Sequence, residues 1–198
     1  MIKIYGSAMS SAGRCLWTLE EVGVAHERVD SNLRDPEGRK KFIAEVWDGA
    51  KVPFMIDGDV RLFESMAIDL YLATTYKPEL LGKGAHARAL VDQWSFWAIS
   101  NLGVDALKVL YHTAFLPEDQ RNPKEVEAGK AGVARYFDQL ENALKGDYLV
   151  GDTFTLADLH VASVVGLAAR AKLPMPPKVA AWFGRCTSRE GFKKTYAM

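Results

Sequence analysis

The chain has 198 residues, of which 48% are hydrophobic and 25% are charged, so it is long enough to bury a core in one large domain or two small ones, and disorder is disfavoured. Its 25 Lys and Arg residues balance its 25 Asp and Glu residues. A chain with zero net charge lacks the strong field that attracts nucleic acid or an anionic membrane. We therefore expect neither nucleic acid nor a membrane as a partner.

Cysteine usage and hydropathy predict a cytoplasmic protein. Only Cys15 and Cys186 occur, and the first residues lack a signal-peptide pattern, so a disulfide-stapled secreted domain is not expected. The longest apolar stretch, residues 161–169, contains Ser163 and is shorter than the roughly 18 to 20 residues that a membrane span requires. No motif for a metal, haem or dinucleotide is present, and we expect no metal.

The first 80 residues alternate short apolar runs with helical patterns. Strands are predicted at residues 2–5, 25–29, 53–56 and 60–63. Helices are predicted from about Ala12 through the run 15–22, at 35–46 and from Glu64 or Ser65 to about 75. Asp57-Gly58 between the last two apolar runs is a strong hairpin signal, so these two strands are predicted to be antiparallel. The predicted order is β-α-β-α-β-β-α.

A Pro- and Gly-rich segment at residues 77–84 predicts a linker between a first domain, residues 1–76, and a second, residues 85–198. The second domain has only helical patterns, at residues 85–115 (one long or kinked helix), 123–144, 156–172 and 177–189. Thr155 and Asp158 form a capping-box pattern at the start of the third. The fold class is therefore α/β followed by all-α.

The most informative motifs are Lys51-Val52-Pro53 and Glu64-Ser65. If the Val52-Pro53 bond is cis, the amide and carbonyl of Val52 point outward and can pair with an extended peptide-like ligand. Ser65 places a hydroxyl and an amide at a helix N-terminus, where the macrodipole favours a carboxylate, and Glu64 can hold an ammonium. Together these groups would recognise the amino-acid end of a ligand. The alternative is a trans proline and an ordinary N-capping serine.

Placed in this order, the motifs resemble the glutathione transferase family, which has a thioredoxin-like N-terminal domain and an all-helical C-terminal domain. The resemblance covers nearly the whole chain and rests on Lys51-Val52-Pro53, Asp57-Gly58-Asp59, Phe63-Glu64-Ser65 with Ala67-Ile68, and Phe154-Thr155-Leu156-Ala157-Asp158. The first 23 residues look most like the phi class and related bacterial serine-type members. The resemblance implies a cis Val52-Pro53 bond. It also implies that Val52 pairs with the cysteinyl backbone of glutathione and that Glu64 and Ser65 hold its γ-glutamyl end.

In serine-type members a hydroxyl in the loop after the first strand donates a hydrogen bond to the glutathione sulfur. A free thiol has a pKa of about 8.5, so lowering that pKa by roughly two units makes thiolate the main form at pH 7. Matching forward from Ala8-Met9 places this hydroxyl at Ser10, which we favour, whereas counting back from Arg14 places it at Ser11. One of the two serines is also expected to cap the following helix.

A basic group lies where the family binds the glycyl carboxylate of glutathione. Arg39, Lys40 and Lys41 are its consecutive members, and Lys51 is a plausible fourth contributor. A cluster of charges on a helix is usually only a solvated face. The sequence leaves open which of these side chains reaches a ligand.

Three further side chains are expected to be structural. Tyr5 lies inside a strand pattern and is predicted to be a packed tyrosine rather than a thiol activator. Cys15 falls inside the first helix and is predicted to be a buried, inert thiol. His160 is predicted to be a core histidine. The long helix of the second domain also carries an aromatic set that is expected to be mostly core: Trp94, Phe96, Trp97, Tyr111, His112 and Phe115.

The resemblance implies a cytoplasmic, homodimeric detoxification enzyme that uses glutathione as co-substrate, needs no metal and transfers the thiolate to a small hydrophobic electrophile held between the domains. Two alternatives stay open. One is a non-catalytic binding or assembly module, suggested by the short serine loop and by residues 47–50, which replace an Asn-Pro-Phe-Gly pattern. The other is a glutathione-dependent thiol reductase or peroxidase; the reductase would require a cysteine at the sulfur, for which Cys15 is the candidate.

Overall fold

The computed structural model describes residues 1–196 and divides the chain into two compact units. The first unit comprises Met1–Glu79 together with the chain from Arg189 onward, and the second comprises Leu80–Ser188. Within the part of the chain that is described, no helix is both long enough and apolar enough to cross a membrane.

The first unit is built on a four-stranded mixed sheet. Its strands are β1 (Ile2–Tyr5), β2 (His26–Val29), β3 (Phe54–Asp57) and β4 (Val60–Phe63). The spatial order is β2-β1-β3-β4, with β1 parallel to β2 and antiparallel to β3, and with β3 antiparallel to β4. The hairpin pairs Asp57 with Val60. The predicted order of elements and the antiparallel hairpin are therefore confirmed.

Three helices accompany this sheet, namely α1 (Ala12–Val22), α2 (Pro36–Glu45) and α3 (Ser65–Tyr76). Helix α1 begins at Ala12, as predicted, since Ala12 and Gly13 are already buried ahead of the apolar run that starts at Cys15. Apolar side chains from β1, α1, β3 and α3 form one core: Ile2, Ile4, Cys15, Leu16, Leu19, Met55, Ile68 and Leu72. Burial of such side chains removes apolar area from water and holds the strands and helices together.

The last helix, α9 (Glu190–Tyr196), packs on α1 and so belongs to the first unit. The ring of Phe192 lies edge-on to Trp17 with 5.0 Å between centroids. Arg189 donates from Nε and Nη2 to the Glu21 carboxylate at 2.9 and 2.7 Å. The domain boundaries predicted from the sequence differ here, because residues 85–198 were assigned to one domain. A buried carboxylate needs a countercharge, and the chain supplies it from 168 residues away.

We expect Glu21→Gln to lower the free energy of unfolding by about 2 kcal/mol, because the change removes a buried charge pair with Arg189 but keeps the shape of the side chain. Urea unfolding measures the difference. Glu20→Gln is the matched control, since Glu20 makes only longer contacts with Lys194 and His26, at 3.7 and 3.8 Å, and should shift stability by less than about 0.5 kcal/mol. Equal small shifts in both variants would contradict the expectation.

The second unit is helical throughout its regular structure. A 3-10 turn at Pro78–Leu81 precedes α4 (Gly84–Trp97), α5 (Gly103–Leu110), α6 (Pro123–Ala143), α7 (Leu156–Arg170) and α8 (Pro177–Thr187). The long helix predicted over 85–115 is present, but π-helical turns at Ala98–Leu102 and Tyr111–Phe115 interrupt it. Helix α6 approaches α5 closely, since a Cβ on Gly132 would lie 1.8 Å from the Asp105 carboxylate.

The predicted capping box at the start of α7 is confirmed. Asp158 is fully buried, and its two oxygens accept four hydrogen bonds. These come from the Leu149 amide (2.8 Å), the Thr155 amide and hydroxyl (3.0 and 3.1 Å) and the Trp182 indole (2.9 Å). Burial raises the pKa of the Asp158 carboxyl, while the four hydrogen bonds act in the opposite direction.

His160 is a core residue, as predicted. It is fully buried, and its Nδ1 lies 2.7 Å from the Ser95 hydroxyl. Since that hydroxyl already donates to the Val91 carbonyl, Nδ1 carries the proton and donates to Ser95.

Candidate functional site

The Val52-Pro53 bond is cis, as the family resemblance implied. Pro53 is buried immediately before β3, whereas Lys51 is exposed. The backbone amide and carbonyl of Val52 make no hydrogen bond to the rest of residues 1–196. The turn therefore offers one backbone donor and one backbone acceptor to an extended ligand.

Glu64 and Ser65 form the N-terminus of α3. Glu64 caps the helix with φ +67°, a conformation that non-glycine residues rarely adopt, and its side chain is exposed. Ser65 is the first helical residue and is only 7% exposed. Residues held in such a backbone conformation concentrate at functional sites. An exposed carboxylate and a hydroxyl thus lie side by side at the positive end of a 12-residue helix.

The two candidate serines differ in their hydrogen bonds. The Ser10 hydroxyl donates to the Ser7 carbonyl at 2.8 Å and accepts from the Ala12 amide at 3.2 Å. Ser11 occupies the N-cap position of α1 with its side chain exposed and makes no side-chain capping bond. Ser10 is therefore the serine that stabilises the start of the helix, which confirms that one of the pair has this role.

Gly6 brings the serine loop against the cis-proline turn. Its φ of +125° favours glycine, and a Cβ there would lie 2.7 Å from the Ala12 Cβ, 3.1 Å from the Val52 Cβ and 3.3 Å from the Ser10 Oγ. Side chains of the two loops therefore converge on a single backbone position. No other residue type would allow this approach without displacing them.

The basic residues are distributed unevenly around the same turn. Arg39 on α2 reaches the Ala50 carbonyl through Nη1 at 3.5 Å, the limit of a hydrogen bond. Ala50 directly precedes Lys51 and Val52. Lys40 is exposed and makes no contact of this kind within residues 1–196. The structure therefore brings Arg39 and Lys51 to the turn and leaves Lys40 on the exposed face of α2.

Tyr5 is a packed tyrosine, as predicted. Its ring lies edge-on to Phe42 and Phe54 at 5.7 and 6.3 Å between centroids. Cys15 is fully buried, with Sγ 3.6 Å from the Ser65 carbonyl. Burial raises the pKa of the Cys15 thiol well above its ordinary value, and the charge and hydrogen bond of Asp69 raise it further.

We expect Cys15 to stay protonated and unreactive at neutral pH, because both desolvation and a neighbouring carboxylate disfavour its thiolate. Incubation with glutathione disulfide followed by mass spectrometry of the intact protein measures this directly. No mixed disulfide should form at Cys15, and the Cys15→Ala variant should retain the conjugating activity of the unmodified protein. A stoichiometric adduct on the folded protein would contradict this and favour the thiol reductase.

Arg14 contacts the site, although no role was predicted for its side chain and Arg14 served only as the position from which the serine was located. Its Nη1 donates to the Ser65 hydroxyl at 3.0 Å across 51 residues of sequence. No local pattern could have indicated this contact.

No group of three or more His, Cys, Asp or Glu side chains that could hold a metal ion is found in the described residues.

Comparisons with known proteins agree with this geometry. The family model described as "Glutathione S-transferase, N-terminal domain" matches residues 1–74, and "Glutathione S-transferase, C-terminal domain" matches residues 104–190. Glutathione S-transferases F9 and F10 of Arabidopsis thaliana are 33% and 32% identical over 100% of this chain and 97% of their own lengths.

Solved structures give the same result. The theta class glutathione S-transferase of Xanthomonas axonopodis pv. citri, with glutathione bound, superposes with a TM-score of 0.86 at 27% identity and covers 100% of this chain and 97% of its own. Glutathione S-transferase-I bound with lactoylglutathione has a TM-score of 0.82 at 29% identity, with coverage of 99% and 98%. The chain, with its sheet, its cis-proline turn and its helical second unit, belongs to the glutathione S-transferase family.

Proposed function

We propose that the protein is a glutathione transferase that conjugates the glutathione thiolate to small hydrophobic electrophiles, as a cytoplasmic homodimer with a role in detoxification. The observation that carries this proposal is the grouping in the first unit. A backbone pair at Val52, an acid and a hydroxyl at Glu64 and Ser65, and a serine turn all belong to one small domain. These are the groups that a γ-glutamyl-cysteinyl peptide requires.

Each of the three residues of glutathione has a matching set of groups on the protein. The Val52 amide and carbonyl pair with the cysteinyl backbone, next to the buried Pro53. The Ser65 hydroxyl and amide donate hydrogen bonds to the γ-glutamyl carboxylate at the start of α3, while Glu64 holds the ammonium. Arg39 and Lys51 supply positive charge for the glycyl carboxylate, and Lys40 on the exposed face of α2 is the alternative. The affinity for the anionic glutathione must come from these specific groups. A chain with no net charge has little overall electrostatic field to attract an anion.

Ser11 is our preferred hydrogen-bond donor to the sulfur, which reverses the preference for Ser10 from sequence counting. The proton of Ser10 is already donated to the Ser7 carbonyl, and releasing it would break a 2.8 Å hydrogen bond. The Ser11 hydroxyl is exposed at the N-cap of α1 and has its proton available. Ser10 is the alternative, since its Oγ adjoins the cis-proline turn.

Thiolate stabilisation and proximity account for the rate in this proposal. The serine hydroxyl and the positive end of α1 favour the thiolate over the thiol. The thiolate then attacks the electrophile and the carbon–sulfur bond forms. In a substitution the leaving group departs with its bonding electron pair; in an addition the π bond breaks and the resulting carbanion takes a proton from water. No covalent bond between enzyme and substrate is needed.

The second unit carries an apolar surface that supports a hydrophobic co-substrate and a homodimer. Exposed large side chains recur along α4, α5 and the π-helical turns: Phe96, Ile99, Val104, Leu107, Tyr111 and Phe115. Exposed apolar patches of this kind mark ligand or subunit contacts. The prediction that most of the aromatic set lies in the core is wrong, because none of its six members is fully buried: Phe96, Tyr111 and Phe115 are exposed, and Trp94, Trp97 and His112 are partly buried.

The test has three measurements on the full chain. Retention on immobilised glutathione tests binding, turnover of glutathione with chlorodinitrobenzene tests conjugation, and light scattering after gel filtration tests the dimer. Retention with saturable conjugation by a dimer is expected. Retention without conjugation would favour a non-catalytic module, and reduction of peroxides or disulfides without conjugation would favour a peroxidase or reductase.

A further inference from the structure

The Arg14 guanidinium contacts the first residue of α3. Its Nη1 donates to the Ser65 hydroxyl at 3.0 Å, while its Nε is buried and makes no hydrogen bond within the described residues. Leaving a buried donor unpaired costs free energy. The side chain is therefore held here by the Ser65 contact and by its surroundings, and it does not form a fully satisfied structural network.

This contact determines which way the Ser65 proton points. A hydroxyl has one donor and two acceptor positions, and an arginine can only donate. Since the Ser65 oxygen accepts from Arg14, its own proton is free for another acceptor. Ser65 is the first residue of α3, so that proton and the first free amides of the helix serve the same ligand group.

The charge of Arg14 acts in a mostly buried environment. Ser65 and Cys15 are 7% and 0% exposed. Burial and then the Asp69 carboxylate raise the pKa of the Cys15 thiol, and the positive charge of Arg14 acts in the opposite direction with a smaller effect. Such a charge is weakly screened and favours an anion one side chain away. An uncharged carboxamide in the same place would gain nothing from it.

We propose that Arg14 is a positioning residue that makes Ser65 selective for a carboxylate at the amino-acid end of the ligand. The inference rests on the proposed function, because it takes the γ-glutamyl carboxylate of glutathione as that anion. Arg14 acts through Ser65 and touches neither the sulfur nor the electrophile. It therefore affects binding of glutathione far more than the chemical step.

The test compares two unreactive probes by calorimetry: S-hexylglutathione, and the same molecule with the α-carboxylate of its γ-glutamyl residue converted to a carboxamide. Arg14→Gln should weaken binding of the acid about tenfold and leave the amide almost unchanged, as expected for the loss of one charge-assisted hydrogen bond. Arg14→Lys keeps the charge and should lose less. In turnover, KM for glutathione should rise while kcat is retained.

Ser65→Ala and the double variant Arg14→Gln/Ser65→Ala complete a double-mutant cycle, which measures the coupling between the two side chains. If Arg14 acts through Ser65, Ser65→Ala alone should remove most of the preference for the acid, and adding Arg14→Gln should have little further effect. Arg28→Gln is the control, because Arg28 pairs with Asp30 on the exposed surface of the same unit and should bind both probes like the unmodified protein.

Two results would overturn the inference. Equal weakening of both probes would mean that Arg14 only supports the fold, and additive losses in the double variant would mean that it acts independently of Ser65. Thermal melting of each variant identifies a folding defect, in which case the Arg14→Lys and Ser65→Ala results decide the outcome. Failure of the unmodified protein to bind S-hexylglutathione would instead reject the proposed function itself.

Discussion

Ser11→Ala should lower turnover at pH 7 by about 25-fold, the effect of returning a thiol pKa from roughly 6.5 to 8.5 on the fraction of thiolate. The hydrogen bond from the hydroxyl stabilises only the charged form of the sulfur, so its loss raises the pKa of bound glutathione. The deficit should shrink as the pH rises from 7 to about 8.5 and nearly vanish above that, where the thiolate forms unaided. The ultraviolet absorbance of the thiolate, titrated with pH in the binary complex, measures this pKa.

Ser10→Ala is the matched variant. It removes the hydroxyl that accepts from the Ala12 amide, so we expect a loss of about 1 kcal/mol in stability, typical of a helix cap, with little change in the thiol pKa. Glutathione affinity should be nearly unchanged in both variants. A raised thiol pKa in Ser10→Ala together with normal turnover in Ser11→Ala would return the assignment to Ser10.

Asp158→Ala should lower the free energy of unfolding by about 3 to 5 kcal/mol, because it removes a buried acceptor that serves several donors at once. The change leaves three N–H donors without their acceptor: those of Thr155 and Trp182, which are buried, and that of Leu149, which is partly buried. The Thr155 and Trp182 donors lie among fully buried side chains, so water cannot readily replace the lost acceptor for these two. Urea denaturation followed by tryptophan fluorescence and circular dichroism measures the loss.

Asp158→Asn removes the charge and one acceptor oxygen but keeps the volume of the side chain. It therefore distinguishes the loss of hydrogen bonds from the effect of a cavity. The carboxylate accepts two hydrogen bonds on each oxygen, whereas an amide supplies one oxygen and sets an NH2 group against existing donors. We therefore expect an intermediate loss. Asp138→Ala on the exposed face of α6 is the control and should change stability by less than about 0.5 kcal/mol. A similar small loss in Asp158→Ala would show that this network contributes little.

Much of the first unit was predictable because its signals are local. Alternating apolar runs, the Asp57-Gly58 turn and the glycine after Val22 predicted the element order, and the structure has that order. The capping box of α7 was equally visible, since Thr155 and Asp158 are three residues apart. The observed ends of several helices differ from the predicted ones by one or two residues, because the exact end of a helix depends on packing, which is not a local property.

The candidate site was predictable only as a set of motifs. Val52-Pro53 and Glu64-Ser65 were identified from residue type and the family resemblance, and the cis bond and the helix start agree with that assignment. The preference between Ser10 and Ser11 was not resolvable by counting. It depends on which hydroxyl proton the Ser7 carbonyl accepts, and this is a matter of three-dimensional geometry.

The amino-acid sequence by itself determined the order of strands and helices, the helical second unit and the motifs of the site, because periodicity, turn residues and caps act over a few residues. Only the tertiary structure decided that Arg14 contacts Ser65 across 51 residues and that Arg189 contacts Glu21 across 168. Buried polar groups need partners, yet residue type does not specify which distant side chain supplies them. That choice is made only when the helices pack.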